Sequence, residues 1–284
     1  MRTATGADVD QLVAEVTRIP VQPGAAMRLM RMLDDPRTSA AALGKVIESD
    51  PSLSARLIQL ANASYYGLPE AVSSSWRAVT IVGLSTLRSV VATAILDIGT
   101  AEGLSVPDGF WSHSVAAAAA AGLVAPRVGV DPGEAFSAGL LHDVGTALVF
   151  RRAREHYDEV AAAVLAGSDL IEAERAILGV DHGELGARAV AALGFRHDAV
   201  EAMRFHHAPA PLGRDAMGLG MFAAVIRAAD ALAAVVVDEP VAETDRDLDA
   251  VLRAVNVAEH ERQPLFQRVC ELVDDLESML GGGV

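Results

Sequence analysis

Apolar residues recur at spacings of three and four along most of the chain, and this spacing is typical of helices that bury one face. A clear case begins at Asp50, which suits an N-cap, and Pro51, which suits the first helical position. Leu53, Leu57 and Leu60 follow on one face. The chain is 51% hydrophobic but only 4% aromatic, so Ala, Val and Leu must form most of its core. These small side chains favour closely packed helices and predict an all-α protein.

The helical pattern changes character after about residue 104, and this change predicts two lobes. From Gly109 onward the helices become alanine-rich: Phe110 to Val124 is predicted to be a very alanine-rich helix, and Ala135 to Phe150 is predicted to be one apolar helix. Another long apolar helix is predicted from Met221 to Val237, and Pro240 with the acidic stretch after it marks a boundary. We therefore predict a helical lobe up to about residue 104, a second lobe after it, and two further helices near the C-terminus.

Charge and cysteine content limit the partners that the chain can have. With 23 Lys+Arg against 38 Asp+Glu, the formal net charge is −15, so the surface repels phosphate backbones and anionic lipid heads. We expect no nucleic-acid partner and no membrane association. The single cysteine, Cys270, excludes an internal disulfide, and the N-terminal region, with Asp8 and Asp10, lacks the apolar core of a signal peptide. These features predict a cytoplasmic protein and leave its oligomeric state open.

Three polar residues stand in apolar surroundings and need partners there. His142 and Asp143 are neighbours in the run GLLHDVG at 139–145, and Asp230 lies within an Ala/Val/Leu helix. An unpaired buried charge is expensive, so each residue must meet an ion or a hydrogen-bond partner. For His142 and Asp143, a shared metal ion and bonding to the backbone or to each other are equally compatible with the sequence. For Asp230 the alternative to a metal ion is Arg227, three residues earlier on a neighbouring helical face.

Four further histidines are candidate ligands, each with a simpler explanation. His113 lies in an uncharged helix, where a lone histidine is more often a satisfied core residue than a ligand. His182 follows Asp181, a predicted N-cap, so surface exposure would also explain it. His206 and His207 end a predicted helix, where one could bind an ion while the other is exposed or orients it. Histidine and aspartate together suit Zn, Fe, Mn or Mg.

The order of these residues resembles the pattern of the HD metal-dependent phosphohydrolase superfamily, with His113, the pair His142-Asp143, and Asp230 at the matching positions. The closer resemblance is to the HDOD (HD-related output domain) family, and it covers about residues 19–237. The runs that carry it are IESDPSL at 47–53, LIQLANASYY at 57–66, FSAGLLHDVG at 136–145 and DHGELGA at 181–187.

The HDOD resemblance implies a helical fold in which an N-terminal lobe packs on an HD-like lobe, and a bacterial signalling context. The implied boundaries are an N-terminal extension 1–18, an HDOD domain 19–238 divided at 104/105, and C-terminal helices with a flexible tail 239–284. His182, His206 and His207 resemble the added ligands of HD-GYP cyclic-di-GMP phosphodiesterases. The resemblance therefore implies one or two divalent ions, of Fe, Mn, Zn or Mg.

Three functions are compatible with this pattern. The first is a regulatory module whose HD-type pocket holds a metal or a phosphorylated small ligand and which contacts a protein partner in a signalling pathway. Thr146 favours it, because many HD hydrolases have a lysine at that position. The second is a metal-dependent phosphodiesterase or phosphohydrolase acting on a nucleotide or cyclic dinucleotide, in which Asp143 bridges metals or orients the attacking water. The third is a helical scaffold whose polar residues pair internally.

Overall fold

The predicted all-α architecture is confirmed. The computed structural model describes residues 6–17, 24–96, 98, 106–207, 217–237 and 248–279, and within these ranges it contains helices and no β-strand. The α-helices are α1 Gly6–Val16, α2 Ala25–Leu33, α3 Ala40–Ile47, α4 Pro51–Ala61, α5 Ser75–Leu96, α6 Phe110–Val124, α7 Pro132–Leu141, α8 Val144–Arg152, α9 Arg154–Leu165, α10 Leu170–Ile177, α11 His182–Ala191, α12 His197–Arg204, α13 Met217–Val236, α14 Leu248–Ala254 and α15 Glu259–Met279.

Helices α2 to α5 cover the predicted first lobe, and α5 packs against the other three as well as against α7. The predicted cap of α4 is present: the Asp50 side chain accepts a hydrogen bond from the Leu53 N–H at 3.1 Å. Helix α5 is long and apolar enough, by length and composition alone, to cross a membrane, but 61% of its apolar window is buried inside the protein. Its backbone is also non-helical at Gly83 (φ 80°, ψ 170°). Its apolar composition is therefore that of a helix in the core of the lobe.

The second lobe is built around α6, which packs against α7, α13 and α15. Residues 116–121 of α6 are six alanines with no exposed surface, so this helix is enclosed on all sides. Alanine is the residue that permits this enclosure, because its small side chain lets neighbouring helices approach closely while keeping high helix propensity. The alanine-rich stretch is therefore a core helix and places His113 inside the lobe.

The prediction of one helix from Ala135 to Phe150 is wrong. Helix α7 ends at Leu141 and α8 begins at Val144, because Asp143 between them has a non-helical backbone (φ −97°, ψ 13°). The apolar pattern of the segment continues through the break, so hydrophobic spacing alone could not reveal it. The chain therefore turns at His142 and Asp143.

Polar contacts join the two lobes. Arg88 on α5 donates from Nη1 to the Leu193 carbonyl at 3.0 Å, and from Nη2 to Asp34 at the end of α2 at 2.7 Å. The Leu193 carbonyl lies just beyond the end of α11, whose first residue is His182. The first lobe is thus connected through one guanidinium to a helix of the candidate site.

Both predicted C-terminal helices are present, and they pack on the domain. Helix α15 lies against α6, and the Asp275 carboxylate accepts a hydrogen bond from the Ser64 N–H at 2.6 Å. At the other end of the chain, α1 lies against α8, where Arg152 donates to the Val16 carbonyl at 2.6 Å. The predicted flexible tail at residues 281–283 lies outside the described residues.

Candidate metal centre

The structure brings all seven predicted ligand residues into one cluster, although they come from five parts of the second lobe. They lie in α6, in the turn between α7 and α8, at the start of α11, just after α12, and in α13. The residues, in that order, are His113; His142 and Asp143; His182; His206 and His207; and Asp230. Residues separated by up to 117 positions in the chain thus converge on one small volume.

The cluster divides into two groups that share one carboxylate. The first ligand set is His113, His142, Asp143 and Asp230, and the second ligand set is Asp143, His182, His206 and His207. In each set, one ligand atom from every member lies within 4.8 Å of the others.

In the first ligand set, nitrogen and oxygen atoms face a common centre. The Nε2 atom of His113 lies 3.0 Å from Asp230 Oδ1 and 3.3 Å from His142 Nε2. His142 Nε2 lies 3.3 Å from Asp143 Oδ2 and 3.4 Å from Asp230 Oδ1. Two imidazoles and two carboxylates therefore present ligand atoms to the same space.

In the second ligand set, Asp143 uses its other oxygen. Asp143 Oδ1 lies 3.2 Å from His182 Nε2 and 3.5 Å from His206 Nε2, and these two nitrogens are 3.3 Å apart. His207 stands beside both sets, with its ring centroid 5.0 Å from that of His182 and its Nδ1 3.8 Å from Asp230 Oδ2. The two oxygens of Asp143 are thus divided between the sets, as in a carboxylate that bridges two ions.

Backbone carbonyls orient two of the imidazoles. His142 Nδ1 donates to the Gly139 carbonyl at 2.8 Å, and His206 Nδ1 donates to the Met203 carbonyl at 2.6 Å. A carbonyl can only accept, so the proton of each neutral ring lies on Nδ1, and the Nε2 lone pair faces the cluster. Such outer contacts are what fix the tautomer of metal-binding histidines.

A carboxylate performs the same role for His182. Glu174 Oε2 lies 2.8 Å from His182 Nδ1 and accepts a second hydrogen bond, at 2.9 Å, from the backbone N–H of His182. Glu174 is 4% exposed. Glu174 is not among the predicted site residues, although the sequence holds a signal for it: in α10, it shares a helical stripe with Leu170, Ala173 and Ile177. An acidic residue within an apolar stripe needs a buried partner.

Two glycines allow the helices to come close enough to form the cluster. A Cβ atom on Gly145, at the start of α8, would lie 2.0 Å from the His182 carbonyl oxygen at the start of α11. A Cβ atom on Gly139 in α7 would lie 2.8 Å from the Ala117 carbonyl oxygen in α6. The first approach brings His182 beside Asp143, and the second brings α6, with His113, beside His142.

Electrostatic interactions keep both aspartates ionised. Burial favours the neutral acid, but the neighbouring imidazoles of His142, His182 and His206 hold the pKa of Asp143 well below its ordinary value. Burial likewise opposes ionisation of Asp230, but the hydrogen bond with His113 and the adjacent imidazole of His142 keep its pKa well below the ordinary range. Both carboxylates are therefore anionic ligands at neutral pH.

The two histidines that face Asp143 Oδ1 have opposite pKa shifts. Burial alone would lower the pKa of His182, but the charge of Glu174 and hydrogen bonds with Asp143 and Glu174 raise it well above its ordinary value. Burial and the charge of His207 lower the pKa of His206 to about 4. At neutral pH in the metal-free protein, His206 therefore presents a lone pair, while His182 holds a proton that a metal ion would displace.

Burial corrects one interpretation from the sequence and shows where the cluster is accessible. His182 is not a surface residue: it is 1% exposed, and the interpretation of surface exposure is wrong. Asp181 is the N-cap as predicted and accepts from the Glu184 N–H at 2.9 Å. The Asp143 side chain is 22% exposed, the largest value in the cluster, so solvent reaches the centre at the shared carboxylate.

The residues present fit a metal centre. Asp143 Oδ1 is buried and accepts no well-aligned hydrogen bond from the described part of the chain, although two Nε2 atoms lie within 3.5 Å of it. An anionic oxygen without a donor is costly in the interior, and a cation would satisfy it. The donor set is rich in imidazole and contains two carboxylates, which suits Fe, Zn or Mn better than the all-oxygen preference of Mg. The cluster is able to hold a metal ion.

A family comparison identifies the domain to which this centre belongs. The model of the HDOD domain matches residues 19–209. The chain belongs to the HDOD family. The HDOD match ends before Asp230, yet α13 packs against α6 and carries that carboxylate into the first ligand set. No curated protein sequence matches the chain significantly.

Crystal structures of other proteins share this HDOD fold. One described as "Putative phosphohydrolase" from Shewanella amazonensis SB2B has a TM-score of 0.73 at 25% identity, with 96% of this chain and 98% of that chain covered. An HDOD domain protein of unknown function from Geobacter sulfurreducens has a TM-score of 0.70 at 21% identity, with 96% and 99% covered. A "Putative metal-dependent phosphohydrolase", also from Shewanella amazonensis SB2B, has a TM-score of 0.63 at 20% identity, with 96% and 97% covered. The fold thus extends over nearly the whole chain.

Proposed function

We propose that this HDOD protein is a cytoplasmic signalling module whose HD-type pocket holds a pair of divalent metal ions that share Asp143. The observation that supports it most directly is the division of the two Asp143 oxygens between the ligand sets, each 3.2–3.3 Å from a histidine Nε2. Removing the ions would leave their imidazole and carboxylate ligands facing one another. Metal occupancy would therefore bias the packing of the helices that carry these ligands.

A regulatory role is favoured over catalysis by the charges around the centre. Phosphoryl chemistry normally places Lys or Arg beside the transferred group. Thr146, at the position where many HD hydrolases have a lysine, brings no positive charge. It stands in the first turn of α8, and its N–H donates to the Asp143 carbonyl at 2.9 Å. Arg204, an arginine close in sequence to His206, pairs with Glu184 and Glu201. The proposed output is contact with a protein partner of a signalling pathway, controlled by the metal or by a phosphorylated small ligand.

Metal analysis combined with unfolding tests this function. Protein produced with Mn, Fe and Zn available should retain stoichiometric divalent ion after dialysis, and a chelator should lower its free energy of unfolding. An ion present at 100 times its dissociation constant stabilises the folded state by about 2.7 kcal/mol, a difference that urea titration resolves. His142→Ala should lose both the ion and the chelator effect. A scaffold with internally paired side chains would contain no ion, and its free energy of unfolding would not change when a chelator is added.

A second candidate function is hydrolysis of a phosphodiester or phosphate in a nucleotide or cyclic dinucleotide. Two adjacent ligand sets with a shared carboxylate favour it, because two-metal sites are frequent in phosphatases and nucleases. The "Putative phosphohydrolase" at 25% identity also supports it. Bound metal would supply a water of lowered pKa, and Asp143 would hold both ions and orient that water. Turnover of such substrates that is lost in Asp143→Ala would establish hydrolysis, whereas no turnover by the metal-loaded protein would reject it.

A further inference from the structure

The two ligand sets differ in the negative charge that they offer. The first ligand set contains two carboxylates, Asp143 and Asp230, whereas the second contains only the shared Asp143 with three histidines. Two divalent ions held by ligand sets that share one carboxylate would repel each other inside a protein, where the effective dielectric is lower than in water. An ion in the second ligand set therefore needs additional negative charge close by.

Glu174 supplies a buried negative charge directly behind the second ligand set. Its Oε2 atom lies 2.8 Å from His182 Nδ1 and 2.9 Å from the His182 backbone nitrogen, so two contacts fix the carboxylate. With Nδ1 directed at Glu174, His182 presents Nε2 to Asp143 Oδ1 at 3.2 Å and to His206 Nε2 at 3.3 Å. Glu174 is 4% exposed, so solvent screens its charge little.

This arrangement distinguishes His182 from the other oriented ligands. His142 and His206 direct Nδ1 at the neutral carbonyls of Gly139 and Met203. An anionic partner makes an imidazole a stronger ligand than a carbonyl does, because it stabilises the positive charge that the ring gains on binding a cation. Glu174 therefore acts on the second ligand set through His182.

We propose that Glu174 is a positioning residue that gives the second ligand set its affinity, so that the two metal positions load unequally and depend on different residues. This inference rests on the proposed metal centre. Outer-shell partners of this kind change metal affinity by about 10–100-fold. Replacing Glu174 should weaken the second ion by about that factor and leave the first ion bound.

The test uses Glu174→Gln in the full-length protein, with Glu172→Gln as the matched control. Both substitutions remove one carboxylate from α10, but Glu172 is exposed and Glu174 is buried. Glutamine keeps the volume of the side chain and an oxygen that accepts from the His182 N–H. Each protein is stripped with a chelator, titrated with Zn²⁺ or Mn²⁺ in a calorimeter, and analysed for bound metal. Wild type and Glu172→Gln should bind two ions, and Glu174→Gln should bind the second about 10–100-fold more weakly.

The outcomes separate this inference from the proposed function. A wild-type protein that binds no ion would reject the metal centre itself. If the wild type binds metal and Glu174→Gln binds every ion with unchanged affinity, the metal centre stands and the role of Glu174 is rejected. Equal weakening of both ions in a Glu174→Gln protein that melts like Glu172→Gln would also reject it, because the effect would not be confined to the second ligand set.

Discussion

The contact between α8 and α11 gives the sharpest single test of how the fold builds the centre. Gly145 at the start of α8 faces the His182 carbonyl, and an added Cβ atom would lie 2.0 Å from that oxygen and 2.9 Å from the Gly186 nitrogen. Both obstacles are backbone atoms, so no side-chain rotation relieves the overlap. Real Cβ atoms essentially never approach such atoms closer than 3.0 Å, so the two helices must separate by about 1 Å in Gly145→Ala.

This displacement sets the expected magnitudes. Overpacking of a well-packed interior costs about 1–3 kcal/mol, and backbone obstacles place Gly145→Ala at the upper end of that range. Metal–ligand distances tolerate only about 0.2 Å, so a shift of about 1 Å between Asp143 and His182 should abolish binding in the second ligand set. The first ligand set should retain its ion, because three of its four members lie on α6, at the end of α7 and on α13, and none of these helices is part of the contact between α8 and α11.

The assay for Gly145→Ala is urea unfolding combined with metal analysis, and Gly133→Ala in α7 is the control. The nearest atom to a Cβ on Gly133 is the Asp131 Oδ1 at 3.3 Å, which caps α7 by accepting from the Glu134 N–H and needs to shift by only a few tenths of an ångström. Alanine there should be neutral or stabilise α7 by up to about 1 kcal/mol. A Gly145→Ala protein with wild-type stability and two bound ions would refute this account of the helix contact.

Three other predictions concern the lobes and the protonation of the centre. Arg88→Met removes the interlobe hydrogen bond to the Leu193 carbonyl, together with the bond to Asp34 within the first lobe, and should cost about 1–3 kcal/mol in urea unfolding; an unchanged midpoint would contradict that role. Asn62→Ala should cost a similar amount, because the Asn62 side chain bonds both the N–H and the carbonyl of Val72, and wild-type stability would show that this clamp is dispensable. The raised pKa of His182 predicts that loading the second ligand set at pH 7 releases a proton, and that this release declines as pH rises through that pKa. Calorimetric heats that do not vary with the ionisation enthalpy of the buffer would contradict this proton release.

Much of the fold was predictable because the signals were local. Helical spacing and caps such as Asp50 identified the helices, and the enclosed alanine run predicted close packing. The break at Asp143 was not predictable, because the apolar pattern continues through it. The residue in α11 that Gly145 approaches, His182, is also far from it along the chain.

The candidate ligands were predictable by residue type, but their arrangement was not. A buried Asp230 needed a cation or hydrogen-bond partner wherever it lay, so its importance could be read from one helix. His182 could not be distinguished from a capping-region surface residue, because its burial comes from packing between α8, α11 and the end of α12. Glu174 had a readable signal, an acidic residue within an apolar stripe, but its partner lies in the next helix.

The central claim is that the two ligand sets hold divalent ions around a shared Asp143. Its most direct test is the metal content of the purified full-length protein, measured by elemental analysis after reconstitution with Fe, Mn or Zn and exhaustive dialysis. The account predicts two ions per chain in the wild type and loss of ions from both ligand sets in Asp143→Ala. A wild-type protein that retains no stoichiometric metal, or an Asp143→Ala protein that retains both ions, would contradict it.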